Sequence, residues 1–267
     1  MTPLLSRILV AAVLLPLVVG LVYLGGWWLW ALALSGGLLA LHELYVMARE
    51  LRPLVLGGYV GFVLALLGLQ LGDLPWMLGG LLSTFLFAFV VYGLGGVRQS
   101  ATSSFAVTLL GVAWVGGGIG CLLLIRDIPE FGFWAVMAVL FTVFAADTGA
   151  FFVGRAFGRH RLAPAISPKK SWEGFGGGLV AAVLVAFLVL YRDRDEFLTI
   201  PEMLVLGLVI ALASVVGDLF ESAVKRDLDV KDSGRVLGGH GGMLDRLDSL
   251  LWAGPAAYFT ILAFGSA

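Results

Sequence analysis

Long uncharged apolar runs recur along the whole chain and predict helices that cross a membrane. Residues 8–41 contain no charged side chain, and one helix of that length would reach about 50 Å, beyond a hydrocarbon core of roughly 30 Å. The run must therefore fold back, and the pair Gly25-Gly26 is the predicted turn. The apolar runs predict nine spans, at about 8–24, 27–41, 54–71, 76–96, 105–125, 132–153, 175–191, 202–219 and 249–266.

Composition agrees with this pattern and excludes several classes of protein. The 267 residues are 60% hydrophobic and only 13% charged, whereas soluble domains carry about 25% charged residues. A water-soluble enzyme, a coiled coil and a disordered chain are excluded. Cys121, the single cysteine, lies in an apolar run and permits no intramolecular disulfide. The expected fold class is an all-α, polytopic integral membrane protein.

The few charges are unevenly placed, and their placement predicts an orientation. With nine spans, 14 of the 17 Lys and Arg residues fall in the N-terminal tail and the loops on its side of the membrane. Basic residues favour the cytoplasmic side, so the N-terminus is expected in the cytoplasm. Eighteen of the 35 charged residues lie in two windows on that face, 155–173 and 218–248, where we expect the function to lie.

The second window begins with an aspartate that an apolar helix must carry. The uncharged stretch 203–217 is too short to span a membrane, so Asp218 is expected at or inside the boundary. A carboxylate there is unfavourable unless it is paired or coordinated, and functional use is the default hypothesis. If the helix continues, one polar face carries Asp218, Glu221, Ser222 and Lys225.

The rest of this window mixes cations and carboxylates around a glycine-rich turn, GGHGG at 238–242. Carboxylates hold Mg²⁺ together with water and substrate phosphates, and Lys and Arg stabilise charge that builds during transfer. Glycines let a backbone approach a phosphate closely. The residues alone leave open a solvated, self-paired loop that is attracted to anionic lipid.

The order of residues closely resembles the signature of the phosphatidate cytidylyltransferases, also called CDP-diacylglycerol synthases. The residues that match are Ser222, Lys225-Arg226, Lys231-Asp232, Gly238, His240-Gly241-Gly242 and Asp245-Arg246-Leu247-Asp248. Gly238 stands where many members have proline. The resemblance implies a reaction of phosphatidate with CTP that requires Mg²⁺ and yields CDP-diacylglycerol and pyrophosphate. It also implies that Asp218 and Asp245 hold the metal, with Lys225 and Arg226 near phosphates.

The first window carries a second, weaker match. Asp147 sits about six residues inside an uncharged run and is expected to face a polar cavity. The stretch SPKKSWEG, 167–174, is a basic turn that alone is more typical of topology and lipid contacts. The same family has similar stretches at both places, although this chain has Phe151 where Tyr is common and Ser171 where Thr is common. The resemblance covers about 145–249.

These matches predict a set of site residues. The catalytic set is Asp218, Asp245, Lys225, Arg226 and Asp248. The set expected to bind substrate phosphates is Ser167, Lys169, Lys170, Ser222, Lys231, His240 and Arg246. Supporting roles go to Asp147, Glu173 and Glu221. By contrast, His42 and Glu43 are interpreted as interfacial, and His160 as solvated.

The predicted organisation has two regions. Residues 1–131 are predicted to form about five spans, which serve packing and are the candidate homodimer interface. Residues 132–267 are predicted to form the catalytic region, about four spans with cytoplasmic loops 154–174 and 218–248. The expected partners are CTP, phosphatidate and membrane lipids, without nucleic acid, in a bacterial inner membrane. A second cation besides Mg²⁺ stays open. So do two alternatives, a CTP-dependent enzyme acting on another lipid phosphate or alcohol, and a transporter.

Overall fold

The structure, a computed structural model, describes residues 15–95, 100–194, 196–234 and 241–265, and most of them are helical. The helices are α1 (Leu15–Leu24), α2 (Gly26–Met47), α3 (Val55–Leu71), α4 (Leu74–Leu94), α5 (Ala101–Gly111), α6 (Gly117–Arg126), α7 (Gly132–Phe157), α8 (Trp172–Leu190), α9 (Ile200–Asp227), α10 (Leu244–Leu247) and α11 (Leu250–Ala263). A π-helical segment, Val112–Gly116, joins α5 to α6. The prediction of an all-α fold is confirmed.

Within the described residues, six helices are long and apolar enough to cross a membrane, which supports a multi-pass membrane protein. They are α2, α4, the continuous α5–α6, α7, α8 with the turn after it, and α9. Helices α1 and α3 are apolar but shorter, and α11 has 14 residues with Pro255 inside it. The count of nine spans is therefore not confirmed.

The predicted turn in the first long run lies where the sequence indicated. Helix α1 ends at Leu24, and α2 begins at Gly26. Gly25 and Gly26 have φ values of 64° and 47°, a left-handed backbone that glycine adopts without a steric penalty because it has no Cβ. An apolar run too long for one span is thus divided at its glycine pair.

The chain packs into two units, Met1–Leu124 with Leu228–Leu247, and Ile125–Asp227 with Asp248–Ala267. In the first unit, Phe62, Leu41 and Leu66 are fully buried core residues. Helices α3 and α4 approach closely at Gly57, where a Cβ would lie 2.8 Å from Ala88 Cα. Small residues at such crossings let membrane helices pack backbone to backbone.

The second unit is assembled in the same way from α7, α8, α9 and α11. A Cβ at Gly149 of α7 would lie 2.9 Å from the carbonyl oxygen of Gly177, and one at Gly178 of α8 would lie 2.6 Å from that of Ala146. Helix α9 meets α11 at Gly217, where a Cβ would lie 2.6 Å from the Asp248 carbonyl oxygen. This close approach brings the residue after Gly217, Asp218, beside Asp248.

The basic turn of the first window contains a short antiparallel ribbon, β1 (Arg161–Ala163) and β2 (Ser167–Ser171). It follows α7 directly and leads into α8, so it is a small addition to the helical fold. The predicted catalytic region, 132–267, stays a functional prediction. In packing terms, its segment 228–247 belongs to the first unit.

Candidate active site

The two charged windows meet in the second unit through an ion pair. Lys170 Nζ on β2 lies 2.7 Å from Asp218 Oδ2 on α9, and the two side chains are 24% and 33% exposed. A pair with that much exposure contributes little to stability. Its significance is chemical, because it places the Lys170 cation from one window against the Asp218 carboxylate of the other.

The polar face of α9 exists as predicted, because the helix continues to Asp227. Ser222 Oγ donates a hydrogen bond to Asp218 Oδ1 over 3.3 Å. One turn further on, Lys225 Nζ donates to Glu221 Oε2 over 2.8 Å. Glu221 is only 1% exposed. The Lys225–Glu221 pair is therefore buried, whereas the Lys170–Asp218 pair is half-buried.

Two further carboxylates lie within electrostatic range of Asp218, namely Asp147 of α7 and Asp248 before α11. Desolvation raises the pKa of Asp248, and the negative charge of Asp218 raises it further, although the Ser249 N–H, donating over 2.7 Å, opposes the shift. Lys170 also acts on Asp147. The cluster therefore sets three carboxylates against the Lys170 ammonium.

The strand that carries Lys170 is anchored at its end. Ser171 is buried and caps α8, since its Oγ accepts a hydrogen bond from the Gly174 N–H over 3.1 Å. Glu173 accepts a hydrogen bond from the Arg159 N–H over 3.1 Å, and one of its oxygens lies 2.6 Å from His160 Nδ1. His160 is exposed but hydrogen-bonded, so interpreting it as merely solvated missed its partner.

Asp245 lies in the first unit, in a shell of backbone donors. Its Oδ2 accepts hydrogen bonds from the Gly242 N–H over 2.8 Å and from the Ser233 N–H over 3.1 Å. Gly241 has a φ of 82°, and a Cβ there would lie 2.8 Å from Asp245 Oδ2. The glycine pair of the motif is thus explained locally, because Gly241 makes the turn and Gly242 binds the carboxylate.

The remaining predicted residues are distributed over both units. Ser167 is half-buried at the start of β2. The exposed cations are Lys169, Arg226, Lys231 and Arg246. His240 lies outside the described residues. The structure therefore groups Lys170, Ser222 and Asp218 with Asp147 and Asp248 in one unit, and describes Asp245 with Ser233 and Gly242 in the other.

Glu43 is the residue that sequence reasoning misjudged. Helix α2 continues to Met47, so Glu43 lies inside it and is 3% exposed rather than interfacial. Its Oε2 accepts hydrogen bonds from Ser233 Oγ over 3.0 Å and from the Leu244 N–H over 2.9 Å. One signal in the sequence was available, since the positions three and four residues away from Glu43 are all apolar, so no helical neighbour neutralises it.

The carboxylates can be tested against the metal that the resemblance implies. No group of three or more His, Cys, Asp or Glu side chains in the described parts of the chain could hold a metal ion by itself. Mg²⁺ does not need such a cage, because it is usually bound by one or two carboxylates together with waters and substrate phosphates. Asp218 and Asp245 each offer two carboxylate oxygens, the type of ligand that Mg²⁺ takes from proteins. By its donor chemistry, each of these two carboxylates taken separately suits a Mg²⁺ ion that arrives with a nucleotide.

Comparisons with known proteins agree with one another. The sequence model described as "Cytidylyltransferase family" matches residues 5–264. A phosphatidate cytidylyltransferase of Haemophilus influenzae is 45% identical over 48% of this chain and 45% of its own length, and one of Bacillus subtilis is 41% identical over 52% of each. The chain thus spans about half the length of these two relatives. A phosphatidate cytidylyltransferase of Staphylococcus haemolyticus is 32% identical over 93% of this chain and 95% of its own length.

Proposed function

The chain belongs to the cytidylyltransferase family, and we propose from this premise that it is a membrane enzyme that transfers a cytidylyl group from CTP to phosphatidate. The products are CDP-diacylglycerol, for phospholipid biosynthesis, and pyrophosphate. The names of the relatives support the substrates. The observation that carries the proposal is the ion pair between Lys170 and Asp218, because it joins the two charged windows of an otherwise apolar chain.

In this reaction an oxygen of the phosphatidate phosphate attacks the α-phosphorus of CTP. A new P–O–P bond forms as the bond from the α-phosphorus to the bridging oxygen breaks, and pyrophosphate leaves with that electron pair. The attacking phosphate is already ionised and needs little help from a general base. The work of the protein is to position two anions in line and to neutralise the charge that develops.

The cations of the two windows are suited to that work. Lys170 is held by Asp218 and Lys225 by Glu221, so both ammonium groups are oriented before substrate binds. Asp147, Asp248 and Glu173 support the arrangement of charges and of the β1–β2 ribbon. The residues proposed to contact substrate phosphates are Ser167, Lys169, Lys170, Ser222, Lys225, Arg226, Lys231, His240 and Arg246.

We propose Mg²⁺ as the cofactor, with Asp218 and Asp245 as protein ligands. When bound, the ion would neutralise phosphate charge and polarise phosphoryl oxygens. Support comes from the donor chemistry, because both side chains are carboxylates that are already oriented by hydrogen bonds. The same proposal includes a second cation, because the carboxylates around Asp218 outnumber the Lys170 cation that faces them.

The proposed location is a bacterial inner membrane, with the site open to the cytoplasm and to the lipid leaflet. The support is the bias of basic residues, 14 of 17 on one face under the predicted topology. A homodimer through the glycine-rich fourth and fifth spans, α4 and α5–α6, is proposed as well. Its support is Gly79, Gly93 and Gly117, where a Cβ would meet no atom of the described residues within 4 Å. Crosslinking in native membranes tests the dimer.

One assay tests the function directly. Detergent-purified protein is incubated with radiolabelled CTP, Mg²⁺ and phosphatidate, and the expected products are a lipid-soluble cytidine compound and pyrophosphate. Product formed only with another lipid phosphate would move the proposal to a different substrate. A lack of product with any lipid phosphate would contradict enzyme function and favour transport.

A further inference from the structure

We propose that Glu43 of α2 is a positioning residue, which holds the chain on both sides of the His240-Gly241-Gly242 motif and thereby orients the Asp245 carboxylate. The catalytic consequence rests on the proposed function, whereas the structural part concerns contacts within the first unit alone. The proposal gives a functional residue to the N-terminal helices, for which the sequence predicted only packing and a possible dimer interface.

Hydrogen bonds from two separate segments converge on one oxygen of Glu43. Glu43 Oε2 accepts from Ser233 Oγ and from the Leu244 N–H, two groups that precede and follow the motif in sequence. Leu244 is the neighbour of Asp245. Ser233 reaches Asp245 as well, because its N–H donates to the Asp245 carboxylate over 3.1 Å and its Oγ accepts from the Asp245 N–H over 3.3 Å. Glu43 thus acts on Asp245 by two routes.

The backbone packs tightly around the Glu43 carboxylate. A Cβ at Gly234 would lie 2.5 Å from Glu43 Oε1, and one at Gly242 would overlap Ser233 Oγ and Glu43 Oε2. Two glycines, one before the motif and one at its end, therefore lie close against the Glu43 carboxylate. Gly242 also donates its N–H to Asp245, so the same close approach sets both contacts.

Glu43 is buried within α2. The residue is 3% exposed, and its Oε1 has no hydrogen-bond partner among the residues that the structure describes. Burying a carboxylate is unfavourable, and an apolar side chain would pack the helix without that loss. Packing alone therefore does not explain an acid at this position. The hydrogen bonds that Glu43 accepts from Ser233 and Leu244 do explain an acid at this position.

The experiment compares three variants of the full chain in detergent. Glu43→Ala removes the acceptor, and Glu43→Gln keeps a carbonyl oxygen that can accept both hydrogen bonds. The matched control is Tyr45→Phe, which removes another buried hydrogen bond of α2, the 2.9 Å bond from Tyr45 Oη to the Thr108 carbonyl oxygen. Two quantities are measured, hydrogen–deuterium exchange of peptides covering 228–247 without substrate, and kcat/KM for CTP across a Mg²⁺ titration.

Loss of a partner that orients a metal ligand typically lowers metal affinity or activity 10- to 100-fold. For Glu43→Ala we therefore expect at least tenfold faster exchange in the peptides that cover 233–245. We also expect kcat/KM to fall 10- to 100-fold and the half-saturating Mg²⁺ concentration to rise. Glu43→Gln should stay within about threefold of the unmodified chain in both measurements. Tyr45→Phe should leave exchange of these peptides unchanged.

Several results would overturn the proposal. If Glu43→Ala matches Tyr45→Phe in exchange and in kcat/KM, Glu43 only packs. If exchange rises while kcat/KM and the Mg²⁺ requirement do not change, the contact has no positioning role. Should Glu43→Ala fail to fold, Ser233→Ala removes the hydroxyl that joins Glu43 to the Asp245 N–H but keeps the backbone N–H that donates to the Asp245 carboxylate. This variant must show the same changes in the same direction, or the proposal is wrong. If the unmodified chain makes no cytidine lipid, the proposed function fails, and the exchange data still decide the contact.

Discussion

The sharpest prediction concerns Asp218, because its roles in stability and in catalysis are expected to separate. Asp218→Asn keeps the size of the side chain and its hydrogen bond with Ser222 but removes the charge that faces Lys170. The lost ion pair is about a quarter to a third exposed, and such pairs contribute roughly 0–1 kcal/mol. Removing the charge also relieves repulsion with Asp147 and Asp248. The two effects oppose each other, so thermal stability should change little.

Turnover should respond very differently. A single charge contact that acts in the transition state is worth about 3–4 kcal/mol, and each 1.36 kcal/mol is a factor of about ten in rate. Asp218→Asn is therefore expected to lower kcat by at least about a hundredfold. The loss comes from weaker Mg²⁺ binding and from a Lys170 ammonium that is no longer held by a carboxylate.

The assay is release of pyrophosphate from CTP in the presence of phosphatidate and Mg²⁺, with thermal unfolding measured on the same preparation. The matched control is Glu202→Gln, which makes the same acid-to-amide change in α9 at a residue that accepts hydrogen bonds from Thr199. Glu202→Gln should keep nearly full turnover. Near-normal turnover of Asp218→Asn, or a loss that matches its loss of folded protein, would refute the reasoning.

Three other predictions follow from the same geometry. Ser171→Ala removes the cap that accepts from the Gly174 N–H and should lower the free energy of unfolding by about 1 kcal/mol; an unchanged melting temperature would contradict this. Gly241→Ala introduces a Cβ at a φ of 82°, 2.8 Å from Asp245 Oδ2, so turnover should fall at least about tenfold at a strained position, and full activity would contradict the contact. Chelation by EDTA should abolish turnover, and added Mg²⁺ should restore it. In a Mg²⁺ titration, Asp245→Asn should need more Mg²⁺ than the unmodified chain to reach half of its maximal rate.

What the sequence predicted well are the features that depend on local spacing. A charge-free run longer than one span requires a turn, and its glycine pair is where the backbone turns. Residues three and four positions apart share a helix face, so the pairs from Ser222 to Asp218 and from Lys225 to Glu221 follow once α9 continues. Hydrophobic length alone could not establish nine spans, because the described parts of α1, α3 and α11 are shorter than a membrane-spanning helix.

What the sequence did not predict are pairings that only tertiary packing decides. Lys170 belongs to a strand and Asp218 to a helix, and no spacing rule joins them. Glu43 and Ser233 are 190 positions apart, and the apparent end of an apolar run suggested an interface where the helix in fact continues. The motif predicted a set of residues for the chemistry, whereas the residues proposed to orient them were found from contacts between distant segments.

The charges around Asp218 themselves argue for a cation in the proposed reaction. Three carboxylates, Asp147, Asp218 and Asp248, act on one another, and Lys170 neutralises part of their charge. CTP and phosphatidate are both anions, so an uncompensated acidic cluster would repel the substrates. A divalent cation turns this repulsion into attraction, because it neutralises the carboxylates and binds phosphate oxygens at the same time. The acidic cluster is thus unfavourable for the empty protein and useful in the presence of metal and nucleotide, which is the differential stabilisation that catalysis requires.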